Sequence, residues 1–422
     1  MKIIRVTNVE KFSAQLLPKQ PQKNRSVVES ILKNVKKNGD SAIRKYEKQF
    51  SGAKIASLRL SQNEIKDAFF KVSEKEINAI RQAKLRLEKT ETAVKSILKN
   101  KTINTDGIKI SKKFIPIQSV GCYIPGGLAR YPSSVIMSVI PAKIAGVKRI
   151  VVVSPPNSEG KIDPLTVVTA KICGATEIYR IGGAQAIAAL SYGTKSIIKV
   201  DKIVGPGGVF VTLAKSMISE RTSIDMLAGP TELGIIADVT ANPKYVALDL
   251  ISQSEHSNDT FCFLITNSEK LAKSVNKIII ELINKIKRSD YVKTSLKDNG
   301  FIAICKNNSE MIKLANELAP EHLQIMTKNP NSFASKITSS GLILLGHDTP
   351  SSASDYLLGS NHILPTNKFG KTRGSLSVLD FIKIHTGVST SKSVLSKISE
   401  HMELFTEAEG LPNHYEAVRG RI

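Results

Sequence analysis

Seven histidines in 422 residues leave few places where imidazole chemistry can concentrate, and the segments around four of them also hold other donors. In LDLISQSEHSND, Gln253 and His256 lie three apart at the end of a predicted helix, so both point to one face and can form half of a metal site. A bare pair of this kind is more often a coincidence of structure. ELAPEHLQI sets Glu321 beside His322 in a helix-to-strand connection, where a carboxylate and an imidazole can share acid-base work. Taken alone, that pair is more often surface polarity. SSASDYLLGSNHILPT supplies Asp355 and His362, and EAEGLPNHYEAVRGR supplies Glu409 and His414 near the chain end. Together Gln253, His256, Asp355 and His414 make a nitrogen and oxygen donor set without thiolate, suited to Zn2+ and also to Mn2+. No H-E-x-x-H occurs, which excludes the zinc-protease arrangement. His347, His385 and His401 have no comparable surroundings.

A second group of segments suits an anionic ligand. Glycine-rich turns occur at 120–134 (VGCYIPGGLARYPSS), 180–187 (RIGGAQAI) and 204–208 (VGPGG), each where a predicted strand ends. Glycine lets backbone approach a ligand closely, and a following helix offers free amide donors to a phosphate. None is a G-x-G-x-x-G, and each alone reads equally as ordinary turn chemistry. Their common position at one sheet edge is the stronger signal.

The elements that must position these residues follow from periodicity. Residues 1 to about 110 read as mostly helical, with Gly39 stopping the first long helix. Strands at 149–156 and 177–181 then alternate with helices at 163–173 and 184–193. A second series places strands at 233–238, 261–266, 301–306, 323–327 and 341–346, with helices over 243–254, 268–287 and 308–318 between them. That alternation predicts an α/β fold with two Rossmann-like parallel-sheet domains related by duplication, a helical N-terminal region and a small helical C-terminal module from about Gly374. Ligands in such sheets are expected beyond the carboxyl ends of the strands.

Composition narrows the class. Four cysteines lie far apart with no C-x-x-C pair, as expected of buried free thiols in a reducing compartment. The net charge of +23 comes from lysines scattered over the whole chain, which predicts a solvated basic surface and no nucleic-acid partner. No apolar run approaches membrane-spanning length, and the start MKIIRVTNVEKF lacks a secretory h-region, so the expected location is the cytoplasm with no membrane partner.

The motifs YIPGG, YPSSVIM, IGGAQAIAAL, DKIVGPG, DMLAGPTE, SQSEH, LAPEHL, SDYLLGSNHILPT and EAEGLPNHYEA run in order over about 300 residues, and with them the chain resembles histidinol dehydrogenases. The resemblance implies a zinc-dependent, NAD-linked oxidation of L-histidinol to L-histidine in two hydride transfers through the aldehyde. It places the metal ligands on Gln253, His256, Asp355 and His414 and the acid-base pair on Glu321 and His322. Substrate contacts fall on Thr231, Gln253, His256, His322, Asp355, Glu409, His414 and His362, and cofactor contacts on Tyr123, Gln185 and Gly208. It further implies a homodimer in which the C-terminal module serves the partner's site. Three positions depart from the family pattern. Gly208 replaces the usual Asn, Thr231 stands where Ser is commoner, and Ser354 stands where Gly commonly precedes the Asp-Tyr pair. The nearest alternative is a related dehydrogenase of another small polar alcohol, such as a sulfonated diol.

The expected division is an arm at 1–20, a first α/β domain of 21–122 and 233–373 carrying the metal and catalytic residues, a second at 123–232 binding NAD, and a helical module at 374–422.

Overall fold

A computed structural model describes residues 1–16, 24–126 and 130–422. The end of the expected N-terminal arm, at 17–20, and part of the first glycine turn, 127–129, lie outside the described residues.

In chain order the strands are β1 (Lys2–Arg5), the pair β2 (Lys101–Thr105) and β3 (Ile108–Pro116), then β4 (Ser119–Tyr123), β5 (Arg149–Ser154), β6 (Glu177–Arg180), β7 (Lys202–Val204) and β8 (Ser223–Ile224). After them come β9 (Glu232–Ala237), β10 (Phe261–Thr266), β11 (Phe301–Ile304), β12 (His322–Met326), β13 (Leu342–Leu345) and β14 (Ile382–Ser389). A five-stranded parallel sheet has the order β6-β5-β4-β7-β8, and a six-stranded parallel sheet has the order β1-β11-β10-β9-β12-β13. Leaving out β1 at its edge, the larger sheet repeats the order of the smaller one, third-second-first-fourth-fifth, as an internal duplication would leave it. The strands bury both faces, which is why they read as runs of Val, Ile and Leu without alternation.

Three expectations about secondary structure are corrected. Residues 101–116 are not helical: β2 and β3 form an antiparallel pair joined at Asp106 and Gly107, both at positive φ, 52° and 84°. Asp-Gly is the turn that right-handed strand twist prefers, and it closes the hairpin despite the high charge of the strands. The terminal module likewise begins with a strand, β14, which pairs with β3 before the helices Lys392–Ala408 and Pro412–Arg419. The long helix expected over 268–287 ends at Leu282, and a separate helix, Ser289–Asp298, follows.

The N-terminal helices cover the smaller sheet. Val28, Ile31, Leu32 and Ile43 share a core with Val151, Val153, Tyr179 and Ile187, while Ile77, Ile80 and Leu87 pack with Val120, Ile140 and Val152. The division expected from sequence placed 21–122 with 233–373, whereas the apolar faces of these helices are buried against the sheet of residues 119–224. All four cysteines are buried and free, and burial pushes Cys173 and Cys262 up to about 12, so their thiols stay protonated. No helix among the described residues is long and apolar enough to cross a membrane.

Candidate active site

The glycine turns converge as expected on the carboxyl edge of the five-stranded sheet, after β4, β6 and β7. The sheet changes direction of growth between β4 and β7, and a crevice opens at such a switch point. Tyr123 ends β4 and is buried, its hydroxyl accepting a hydrogen bond from the Gly183 amide at 3.1 Å. Burial pushes its phenol up to about 12, so the hydroxyl keeps its proton and remains a donor. Gln185, also buried, donates through Nε2 to Glu47 at 2.9 Å, and its Oε1 has no partner. Gly208 is the N-cap of the helix Val209–Ile218, with φ −67° and ψ 179°.

Buried carboxylates that sequence reasoning missed hold two of these turns. Glu47, fully buried on the helix Asp40–Ser51, accepts from the Gly182 amide at 2.8 Å as well as from Gln185. Nothing in YEKQF separates it from a solvated helix charge. Asp225 accepts from the Gly205 amide at 2.7 Å and pairs with buried Lys215, which also donates to the Gly205 carbonyl at 3.1 Å. Gly205 itself must be glycine: φ is 111°, and a Cβ there would lie 2.1 Å from the Tyr123 carbonyl oxygen. Asp225 lies within DMLAGPTE, so that motif was the signal available.

The acid and imidazole residues gather elsewhere, on the amino edge of the six-stranded sheet. Thr231 and Glu232 open β9, Glu321 and His322 open the neighbouring β12, and the helix Pro243–Ser254 brings its C-terminal end, with Gln253 and His256, back to the same edge. The glycine turns thus lie beyond the carboxyl ends of the smaller sheet, where ligands are expected, whereas the acid and imidazole residues lie at the amino ends of the larger one. A directed chain of hydrogen bonds crosses the edge: Gln253 Nε2 donates to Thr231 Oγ1 at 2.7 Å, and that hydroxyl donates to Glu321 Oε2 at 2.6 Å. Thr231 therefore does what a serine hydroxyl would do. Burial lifts the Glu321 carboxyl above the usual carboxylate range, against the pull of His322 and Thr231.

His322 is buried with Nδ1 3.3 Å from the Glu232 carbonyl oxygen, which can only accept, so Nδ1 carries a proton; against the opposing effect of burial, the Asp355 and Glu321 carboxylates hold the imidazole above its ordinary value. Nε2 lies 3.4 Å from Asp355 Oδ1. Both atoms are buried and neither has a hydrogen-bond partner. Asp355 follows the short helix Ser351–Ser354 with φ −67° and ψ −18°, and Ser354 donates to the Ser351 carbonyl at 2.7 Å. Ser354 has no positive φ, so a serine there costs no backbone strain. His362 sits beside this turn, its Nδ1 2.8 Å from the Asp355 carbonyl.

Thr231, Gln253, Glu321, His322, Asp355 and His362 are thus joined by direct contacts, and His256 lies at the rim of the same edge, close enough to feel the Asp355 charge. Glu409 and His414 are exposed on the terminal helices, outside this network. Among the described residues no three His, Cys, Asp or Glu side chains converge as a metal cluster. The donors that are present nevertheless suit a borderline cation. Gln253 spends its amide nitrogen on Thr231 and keeps its oxygen end, and Asp355 Oδ1 is an unpaired buried acceptor.

The histidinol dehydrogenase family model matches residues 17–422. The histidinol dehydrogenase of Methanocaldococcus jannaschii is 41% identical over 395 residues, 94% of this chain and 92% of its own length. That of Bacillus cereus is 42% identical over 413 residues, covering 97% and 94%. A crystal structure of histidinol dehydrogenase from Elizabethkingia anophelis superposes with a TM-score of 0.94 at 34% identity, over 100% of this chain and 98% of that one. The chain belongs to the histidinol dehydrogenase family, whose members are NAD-dependent oxidoreductases of histidine biosynthesis.

Proposed function

We propose that this chain takes L-histidinol through L-histidinaldehyde to L-histidine in two successive hydride transfers to NAD. The observation that carries the reading is the pair of buried, unpartnered atoms His322 Nε2 and Asp355 Oδ1, 3.4 Å apart beside the Gln253–Thr231–Glu321 chain. Unpaired buried polar atoms call for an explanation, and a ligand that completes both is the one the donors around them offer. His322 takes the hydroxyl proton at Nε2, its unpartnered nitrogen, as hydride leaves the carbinol carbon. Glu321 then takes a proton from the water that adds to the aldehyde, and the hydrated aldehyde gives up the second hydride. Thr231 and Gln253 hold the Glu321 carboxylate in line for that step.

Gln253, His256, Asp355 and His414 are the proposed ligands of Zn2+. A bound zinc ion supplies a Lewis-acidic centre that orients the substrate nitrogens and carries no electrons. Tyr123, Gln185 and the backbone at Gly208 bind and orient NAD, while Glu409 and His362 line the substrate pocket. The exposed position of Glu409 and His414 supports a homodimer in which each terminal module completes the partner's site. The proposed location is the cytoplasm.

Complementation tests this. Separately purified His322→Ala and His414→Ala proteins are each expected to be nearly inactive toward L-histidinol. Mixed and reassembled, they should recover about a quarter of wild-type activity, because half of the dimers then hold one intact site. No recovery from dimers shown to have exchanged would place His414 in its own chain's site or outside the chemistry.

A further inference from the structure

We propose that Glu232 is a positioning residue for the Glu321–His322 pair, an inference that rests on the acid-base role assigned to that pair. Four polar atoms of Glu232 face the catalytic strand end or the loop beside it. Its amide donates to Glu321 Oε2 at 2.9 Å, and its own Oε2 accepts from the Glu321 amide at 3.1 Å. Its carbonyl oxygen faces His322 Nδ1 at 3.3 Å, and Oε1 accepts from the Asn367 amide at 2.9 Å. The residue is 7% exposed, so these bonds are made away from competing water.

The need for such a clasp follows from the register. The parallel ladder between β9 and β12 pairs Leu233 with His322 at its amino end, so Glu321 lies one residue beyond the last rung. Its carbonyl is held from the β13 side by the Leu342 amide at 2.9 Å, but on the β9 side its own amide would be an orphan. Glu232 supplies the missing rung with its carboxylate and returns a backbone amide to the Glu321 carboxylate. The same residue fixes the His322 tautomer from below. Its second oxygen reaches loop residue Asn367, whose neighbour Thr366 accepts from the Gly229 amide at 2.6 Å, just ahead of Thr231. One buried carboxylate therefore ties together the strand ends and the loop that surround the reacting atoms.

Burial pushes the Glu232 carboxyl up to about 8, while both of its oxygens accept from backbone amides, a pattern that an amide side chain cannot reproduce. Glu232→Gln keeps the shape but turns one terminal atom into an NH2 that meets an amide N–H, and Glu232→Asp withdraws both oxygens by one methylene. Both variants should lower kcat with L-histidinol, Glu232→Gln by about 10- to 100-fold, with the dissociation constant for NAD within about twofold of wild type. A primary deuterium isotope effect on kcat should also rise, since misplacement slows hydride transfer itself. A merely structural role would instead lower thermal stability and weaken NAD and histidinol binding together. That pattern, or a folded Glu232→Gln or Glu232→Asp protein with kcat within about twofold of wild type, overturns the proposal. His322→Ala separates the two layers: if it keeps turnover, the acid-base reading fails and Glu232 falls with it. If His322→Ala is inactive while the Glu232 variants are not, only the role of Glu232 fails.

Discussion

The two parallel sheets share one strand order and use opposite ends of it. At the carboxyl edge of the five-stranded sheet, helices begin: Gly183–Tyr192 and Val209–Ile218 have their N-terminal ends there. At the amino edge of the six-stranded sheet, helices end: Pro243–Ser254 and Asn308–Leu318 present C-terminal carbonyls beside Gln253, His256 and Glu321. A helix carries about half a positive charge at its start and half a negative charge at its finish. The first edge is thereby suited to the pyrophosphate of a dinucleotide, and the second to a metal cation and a cationic amino alcohol. Two frames of one strand order thus present ends of opposite sign, and the ligands proposed for each edge match that sign.

If the edges are separate devices, a variant at one should leave the ligand of the other untouched. The largest separation is expected from His322→Ala: removal of a general base should cost about 10²- to 10⁴-fold in kcat. The dissociation constant for NAD, measured calorimetrically, should stay within about twofold of wild type. Comparable weakening of NAD would show the two edges to be one coupled site.

The converse variant is Glu47→Ala, which strands the Gly182 amide and Gln185 Nε2 as buried donors at the carboxyl edge. An unpaired buried donor costs about 1–3 kcal/mol, so NAD should bind roughly tenfold more weakly. Histidinol binding in the absence of NAD should not change. An equal loss for both ligands would mean that Glu47 supports the whole fold and not the cofactor edge.

Sequence legibility differed between the edges for physical reasons. Strands buried on both faces and glycine turns at their ends have local signatures, so the carboxyl edge and its three turns were visible in residues 120–208. The donor types of the second site were visible too, but not the end of the sheet where they meet. That depends on Gln253 and His256 lying at the finish of one helix and Glu321 following the finish of another. The general rule for parallel sheets pointed to the wrong edge. Glu47 stayed hidden because a buried carboxylate looks like any surface acid until its donors are known, and Glu232, although it closes the DMLAGPTE motif, shows its role only through its partners. The β2–β3 hairpin was hidden by its lysines, although Asp106-Gly107 marks the turn. Glu409 and His414 are exposed in one chain, and in the proposed homodimer their place in the chemistry turns on a second copy.

The smallest expected effect lies at Gly208, where the family pattern has Asn. Gly208 has an ordinary negative φ, and a Cβ built on it meets no atom within 4 Å, so Gly208→Asn adds an amide without strain. If that position faces the cofactor, one added hydrogen bond worth about 1 kcal/mol should tighten NAD roughly fivefold. Asn also favours the N-cap itself, and a side chain turned back onto the helix would raise stability without touching NAD. Gly208→Ser separates these outcomes, since serine caps the helix but lacks the reach of the amide. Tightening by Asn alone would place the cofactor at the start of the helix Val209–Ile218. Equal tightening by both would assign the gain to a better-ordered helix start. No change in either would put NAD on Tyr123 and Gln185 without this turn, and the helix-start account of the carboxyl edge would then rest on Gly183–Tyr192 alone.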